Sequence, residues 1–370
     1  MRSEETRACT PRGFSLPFSS IPKNRKMDLF KLTRTLIDID SVTPNEYEVG
    51  TFLLEYLRDL ANRYGGEVER VEVAPQRFNV YASWGDPIVT LSTHIDTVPP
   101  FVPSREDSEY IWGRGACDAK GIVAAMIAAA VRLLENGVRN FALLFVVGEE
   151  RGSVGAKAAA KFGPGSQYLI NGEPTENRLA LASKGALRFE ITARGKLAHS
   201  AYPELGHSAI HALLDVLQDI RRIPLPYDRL LGDSTLNIGT IRGGHAPNVV
   251  ADEAHAEIMF RTAGNVSPIR AALPAAVAGR AQIREVSHTP ALHLSSFDGL
   301  PTAVVSFATD IPYLGDHWGK PFLIGPGSIH LAHTADEHIA KKSLVEAVEI
   351  YARMVTQLLA RQPVALGASL

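Results

Sequence analysis

Short, nearly unbroken apolar runs recur along this chain and stop at a glycine, a proline or an acid: IVTLSTH (88–94), FALLFVVG (141–148) and YLINGEP (168–174). A strand without a polar face has to be covered on both sides. Between and around these runs lie stretches with helical patterning. They are DLFKLTRTLIDI from residue 28, NEYEVGTFLLEYLRDLANR from residue 45, the Ala-rich AKGIVAAMIAAAVRLLENG closed by Gly137, and AKAAAKF. VERVEVA and FNVYAS read as further strands. Doubly covered strands alternating with helices specify an α/β domain with a mostly parallel sheet. Binding groups in such sheets gather where strands end and loops begin.

The rhythm changes in the middle of the chain. LRFEITARG alternates as a half-buried strand, GHSAIHALLDVLQDIRRI is helical, and STLNIGTIRGG and AHAEIMFRT read as a strand and its return. PIRAALPAAVAGR predicts a second helix, with a bend at Pro274, and QIREVSHT a last strand. The order βαββαβ is that of a split, ferredoxin-like unit. Because α/β signals resume near residue 300, the unit is expected to be inserted. The expected divisions are 27–182 and 292–370 for one domain and 183–291 for the insert. Residues 1–26 are rich in Ser, Pro and Arg and show no helical period, so a disordered extension is expected there.

Composition narrows the function classes. A net charge of −2 gives no electrostatic reason to expect nucleic acid or an anionic membrane as partner. Two cysteines, Cys9 and Cys117, are too few for a disulfide framework and suit a reducing cytoplasm. No apolar run approaches the length of a membrane span.

The chemistry-bearing residues collect at strand exits and in glycine-rich turns. STHIDTVPP (92–100) places His94 and Asp96 two residues apart, on one face of a strand that Pro99 and Pro100 stop. GRGACDAKG (113–121) carries Asp118, VVGEERGSVG (146–155) carries Glu149 and Glu150, and LINGEPT (169–175) carries Glu173. IGPGSIHLAHTADEH (324–338) supplies His330, His333 and His338. Taken singly, Asp118 reads as a helix N-cap, Glu149–Glu150 as a solvated turn and His333 as a surface residue. Together they form a plausible mixed N/O cluster for divalent metal, zinc first, with cobalt or manganese as substitutes.

Four ordered motifs then resemble the M20 family of metallopeptidases, from about Met27 to the C-terminus. They are S-x-H-x-D-x-V-P at 92–99, G-R-G-x-x-D-x-K-G at 113–121, G-E-E-x-G-S-x-G at 148–155 and A-H-T-x-D-E at 332–337. The family includes acetylornithine deacetylase, succinyl-diaminopimelate desuccinylase and glutamate carboxypeptidases. The resemblance implies a zinc-peptidase-like catalytic domain and two metal ions. His94 and Glu173 would hold one ion, Glu150 and His333 the other, and Asp118 would bridge them. It further implies that Asp96 orients His94, that Glu149 is the general base, and that the insert is a dimerisation domain. His199 would be supplied to the reaction from that domain. Asn248 and Arg261 would bind the carboxylate end of the substrate, and Gly327 would let the backbone approach it. Many relatives carry Asp-Asp with a cis peptide where this chain has Asp118–Ala119, and a cis bond is expected here too. The implied activity is hydrolysis of a small N-acyl amino acid, with a di- or tripeptidase, a carboxypeptidase or a non-catalytic metal-binding protein as alternatives.

Overall fold

A computed structural model describes residues 27–163 and 165–361; the expected N-terminal extension lies outside them. The first helix, Leu29–Asp38, begins where the Asp28 carboxylate accepts the Lys31 N–H at 3.0 Å, an N-cap that satisfies an otherwise orphaned donor. Helix Tyr47–Tyr64 follows and ends at Gly65, whose φ of 68° suits a residue without a side chain.

The central sheet runs, in spatial order, Glu67–Ala74, Arg77–Trp84, Phe141–Val146, Val89–His94, Tyr168–Asn171, Lys320–Leu323, Leu179–Ser183 and Leu292–His293; Thr302–Val305 also pairs with Leu179–Ser183. The four strands from Phe141–Val146 to Lys320–Leu323 are mutually parallel. Both flanks turn antiparallel, through Arg77–Trp84 on one side and Leu179–Ser183 on the other. Every residue of Val89–His94 and Phe141–Val146 is buried, as continuous apolar runs require. The Ala-rich helix Lys120–Glu135 shares one core with Leu344, Tyr351, Met354 and Val355 of the long last helix, Lys341–Leu359. Its alanines let it lie close to the sheet. Tyr81, Leu144, Leu169, Leu314 and Trp318 form a core on the other face.

The insert builds its own sheet. Thr235–Gly243, Glu253–Thr262, Gly185–Arg194 and Gln282–Thr289 lie side by side in that order, all antiparallel. Residues alternate strictly between buried and half-exposed along Gly185–Arg194 and Glu253–Thr262. Their inner faces pack Leu187, Phe189, Ile258 and Phe260 against Leu213, Leu217, Ile269 and Leu273 of helices Ala209–Ile220 and Ser267–Val277. The second helix continues through Pro274. Chain order is thus βαββαβ, as the sequence pattern predicts. The two sheets meet where Ser183 gives way to Gly185, which pairs with Thr262.

A candidate dinuclear metal centre

The parallel strands all point their C-terminal ends to one edge, and the acids and imidazoles sit there. His94 is the last residue of its strand. Glu149 and Glu150 follow Val146 by three and four residues, and Glu173 follows Asn171 by two. Asp118 ends the glycine-rich loop ahead of the Ala-rich helix, and the peptide joining it to Ala119 is cis, as expected. His333 arrives from the loop after Lys320–Leu323 with a left-handed φ of 65°, a conformation uncommon outside glycine and characteristic of constrained sites.

Two overlapping triads result. The ligand atoms of His94, Asp118 and Glu173 lie within 4.8 Å of one another, as do those of Asp118, Glu150 and His333. Asp118 belongs to both. Its Oδ1 lies 2.9 Å from His94 Nε2 and its Oδ2 3.3 Å from His333 Nε2. Glu150 Oε1 stands 2.9 Å from His333 Nε2. His330, the competing imidazole, instead lines a separate cavity with Pro174, Arg178 and Phe307.

The donor set fits a metal pair. His94 Nδ1 lies 3.0 Å from the carbonyl oxygen of Asp96. Assigning the proton to Nδ1 makes it the donor and leaves Nε2, which faces Asp118, with a free lone pair; fixing the tautomer this way is how proteins prepare imidazole ligands. Three carboxylates and two imidazoles offer hard and borderline donors suited to zinc-like ions.

Asp96 acts differently from the expected shared strand face. The strand ends at His94, so the backbone has turned by residue 96. The contact to His94 is made by the Asp96 carbonyl, with the carboxylate at 3.5 Å. That carboxylate accepts the backbone N–H of Glu149 at 3.0 Å and of Glu150 at 3.2 Å, together with the Thr43 hydroxyl at 2.7 Å. Asp96 therefore orients the base-and-ligand turn as well as the histidine.

Electrostatics follow from crowding. Burial lifts the Glu149 carboxyl well above its usual range, and Asp310 and Glu173 push it further. Burial does the same to Glu173, against the pull of His94. The Asp118 and Glu150 carboxylates raise His333 to about 10. Burial opposes a charge on His94, but Asp118 and Asp96 outweigh it and hold the imidazole well above its ordinary value. Arg261, near the end of Glu253–Thr262 and opposite Ala186, is lowered by burial, and the Glu149 charge acts on it in the other direction.

The remaining expected residues stand elsewhere. His199 is exposed; its Nδ1 accepts the Ala201 N–H at 3.1 Å, and its backbone bridges Val249. Asn248, also exposed, lies beside it and accepts the Ser200 N–H through its carbonyl at 3.0 Å. Among the described residues, neither side chain hydrogen-bonds to the acids. Gly327 has a φ of 85°, and a Cβ there would lie 2.6 Å from Cys117 Cβ. Glycine is thus required by the fold itself at that position.

Two supporting acids escaped the sequence reading. Glu337, the last residue of A-H-T-x-D-E, is buried against Arg114 at 2.7 Å and accepts the N–H groups of Gly115, Cys117 and Asp118. It clamps the loop that carries the shared ligand. Asp310 is buried, and its charge acts on Glu149 and Glu173; in sequence, TDIP looks like an ordinary helix start.

Comparison with known proteins agrees with this geometry. Residues 90–357 match the peptidase family M20/M25/M40. The chain belongs to that family. It is 41% identical over 338 residues to a peptidase M20 domain-containing protein of Schizosaccharomyces pombe, covering 89% of this chain and 84% of the relative. It is 37% identical over 374 residues to a probable carboxypeptidase of Aspergillus clavatus, covering 90% and 89%. Among solved structures, a Staphylococcus aureus tripeptidase superposes with a TM-score of 0.75 at 22% identity, covering 90% of this chain and 98% of that one. This M20 chain is accordingly a metal-dependent, peptidase-type hydrolase with a mixed α/β fold. Among the described residues no helix is long and apolar enough to cross a membrane.

Proposed function

We propose that this M20 hydrolase cleaves the amide bond preceding a residue with a free α-carboxylate, using two divalent ions, zinc foremost. N-acyl amino acids of the acetylornithine kind are the smallest members of that substrate class, and short peptides the larger ones. The observation that carries the reading is Arg261, a half-buried guanidinium on which the Glu149 charge acts. A guanidinium fork there would take a carboxylate bidentately, which sets the adjoining amide beside the base. The probable carboxypeptidase among the relatives has a name consistent with this choice.

The bound ions would polarise the scissile carbonyl and acidify a water. The chain's own residues do the rest. Glu149 takes the proton of the attacking water and delivers it to the leaving amine. Asp96 holds the Glu149–Glu150 turn through both backbone N–H groups, so base and ligand keep a fixed spacing. Asp118 and Glu337 fix the opposite wall.

The inserted unit is read as the contact of a homodimer in the cytoplasm. Leu197, Tyr202, Leu205, Leu214 and Ile241 are exposed on it, an apolar surface that a two-fold copy would cover. His199 and Asn248 would then complete the partner's cleft.

The test is a substrate panel: acetylornithine, acetylcitrulline, succinyl-diaminopimelate and several dipeptides, each as free acid and as C-terminal carboxamide, with zinc or cobalt. Free acids should be cleaved and carboxamides spared. Arg261→Ala should lower kcat/KM for the acids by about 10- to 100-fold, the worth of a charged hydrogen bond. Equal cleavage of acids and carboxamides would refute the assignment.

A further inference from the structure

Asp310 has no part in the reaction above, yet it is 2% exposed and neither carboxylate oxygen has a hydrogen-bond partner among the described residues. Such a group destabilises a fold unless a charge compensates it. Its surroundings supply little. The Ser153 hydroxyl, on a residue held at a φ of 55°, is near enough to favour its charged form but does not reach hydrogen-bonding geometry. Lys157, which also acts on it, spends its ammonium on the Gly152 carbonyl at 2.7 Å. Burial lifts Asp310 to about 6. In turn, its charge reaches Glu149 and Glu173.

The charge count around this edge of the sheet is one-sided. Asp96, Asp118, Glu149, Glu150, Glu173 and Asp310 are six carboxylates. Against them stand Arg261 and the imidazoles of His94 and His333, which metal ligation would leave neutral, while Arg77 is paired with Glu46 and Lys120 donates to the Ile39 carbonyl. The first five have roles as ligands, base or anchor. Asp310 ligates nothing and anchors nothing. What two divalent ions would add is the missing positive charge, in a buried setting where charges act over long distances.

We propose that Asp310 is a counter-charge for the metal pair, a carboxylate that strengthens binding of both ions without touching either. This rests on the dinuclear reading of the site. It predicts opposite effects on two states of one protein. Without metal, Asp310 is a liability; with metal, it is an asset.

The experiment uses Asp310→Asn, which preserves shape, and Asp310→Ser, should the first fail to fold. Zinc affinity is measured by competition with a chromophoric chelator, and urea unfolding is followed for the metal-free and zinc-loaded proteins. Supporting results are a metal-free variant at least as stable as wild type, zinc affinity lower by about tenfold or more, as for other outer-shell partners, and a smaller zinc-induced stabilisation. Unchanged zinc affinity overturns the proposal. So does a variant destabilised equally with and without zinc, which would make Asp310 a packing residue. Wild type that binds no divalent ion would instead overturn the dinuclear reading itself.

Discussion

Glu337→Ala tests how the shared ligand is held. The Glu337 and Arg114 side chains are 2% and 3% exposed and meet at 2.7 Å. Truncating the acid strands the guanidinium, whose other bond is from Nε to the Pro100 carbonyl at 3.2 Å. It also orphans the N–H groups of Gly115, Cys117 and Asp118. Breaking one side of a buried pair costs about 3–5 kcal/mol. The three weaker backbone bonds keep the figure within that range if water enters the space. Urea unfolding read by tryptophan fluorescence is the right assay, because Trp84, Trp112 and Trp318 all lie outside the inserted sheet. The midpoint should fall with m unchanged. Removing Arg114 as well, by Arg114→Leu, takes away the stranded charge. The double variant should therefore be less damaged than the two single losses combined, by about 1–3 kcal/mol. A single-variant cost under about 1 kcal/mol, or strict additivity, would refute the clamp.

Three further outcomes are expected. Glu149→Ala should keep its metal and lose about 10²–10⁴ in kcat, the reach of general acid–base catalysis, whereas Glu150→Ala should lose metal; metal analysis showing the reverse would exchange the two roles. Gly327→Ala forces a side chain into a left-handed residue 2.6 Å from Cys117 Cβ, so unfolding should show a loss of about 2 kcal/mol or more; a neutral substitution would mean the loop adapts freely. Mixing inactive Glu149→Ala with inactive His199→Ala should restore activity at about a quarter of sites if subunits exchange and His199 serves the partner's cleft, and no recovery would place His199 within its own chain's chemistry.

The parts of the fold that could be read in advance are those governed by local pattern. Phe141–Val146 has no polar face and Val89–His94 is buried throughout, and they form the doubly covered parallel centre. The strict alternation of Gly185–Arg194 marked a sheet with one open face. The antiparallel flanks were not readable, since Arg77–Trp84 and Leu179–Ser183 are largely buried like the centre while running the other way. Strand direction is set by connection geometry, which composition does not encode. The helix predicted around Pro274 does form, with Leu273, Ala276 and Val277 packed into the insert's core.

For the site, ligand-type residues at strand exits were visible because position alone makes them unusual. The residues that hold them were not. Asp96 was assigned to His94 through the period of a strand, but the strand ends two residues earlier and the carboxylate turns to the backbone of Glu149 and Glu150. Glu337 accepts N–H groups from residues more than two hundred positions away, and no spacing rule spans that distance. Asp310 is harder still, because its setting is defined by a partner it lacks: both oxygens are buried without a hydrogen bond. Only the three-dimensional sum of six carboxylates against Arg261 and two ligand-type imidazoles makes that absence meaningful. A dinuclear site is thus specified twice over: by the atoms that would touch the ions, which the sequence displays, and by the charge that would make the ions necessary, which the fold assembles.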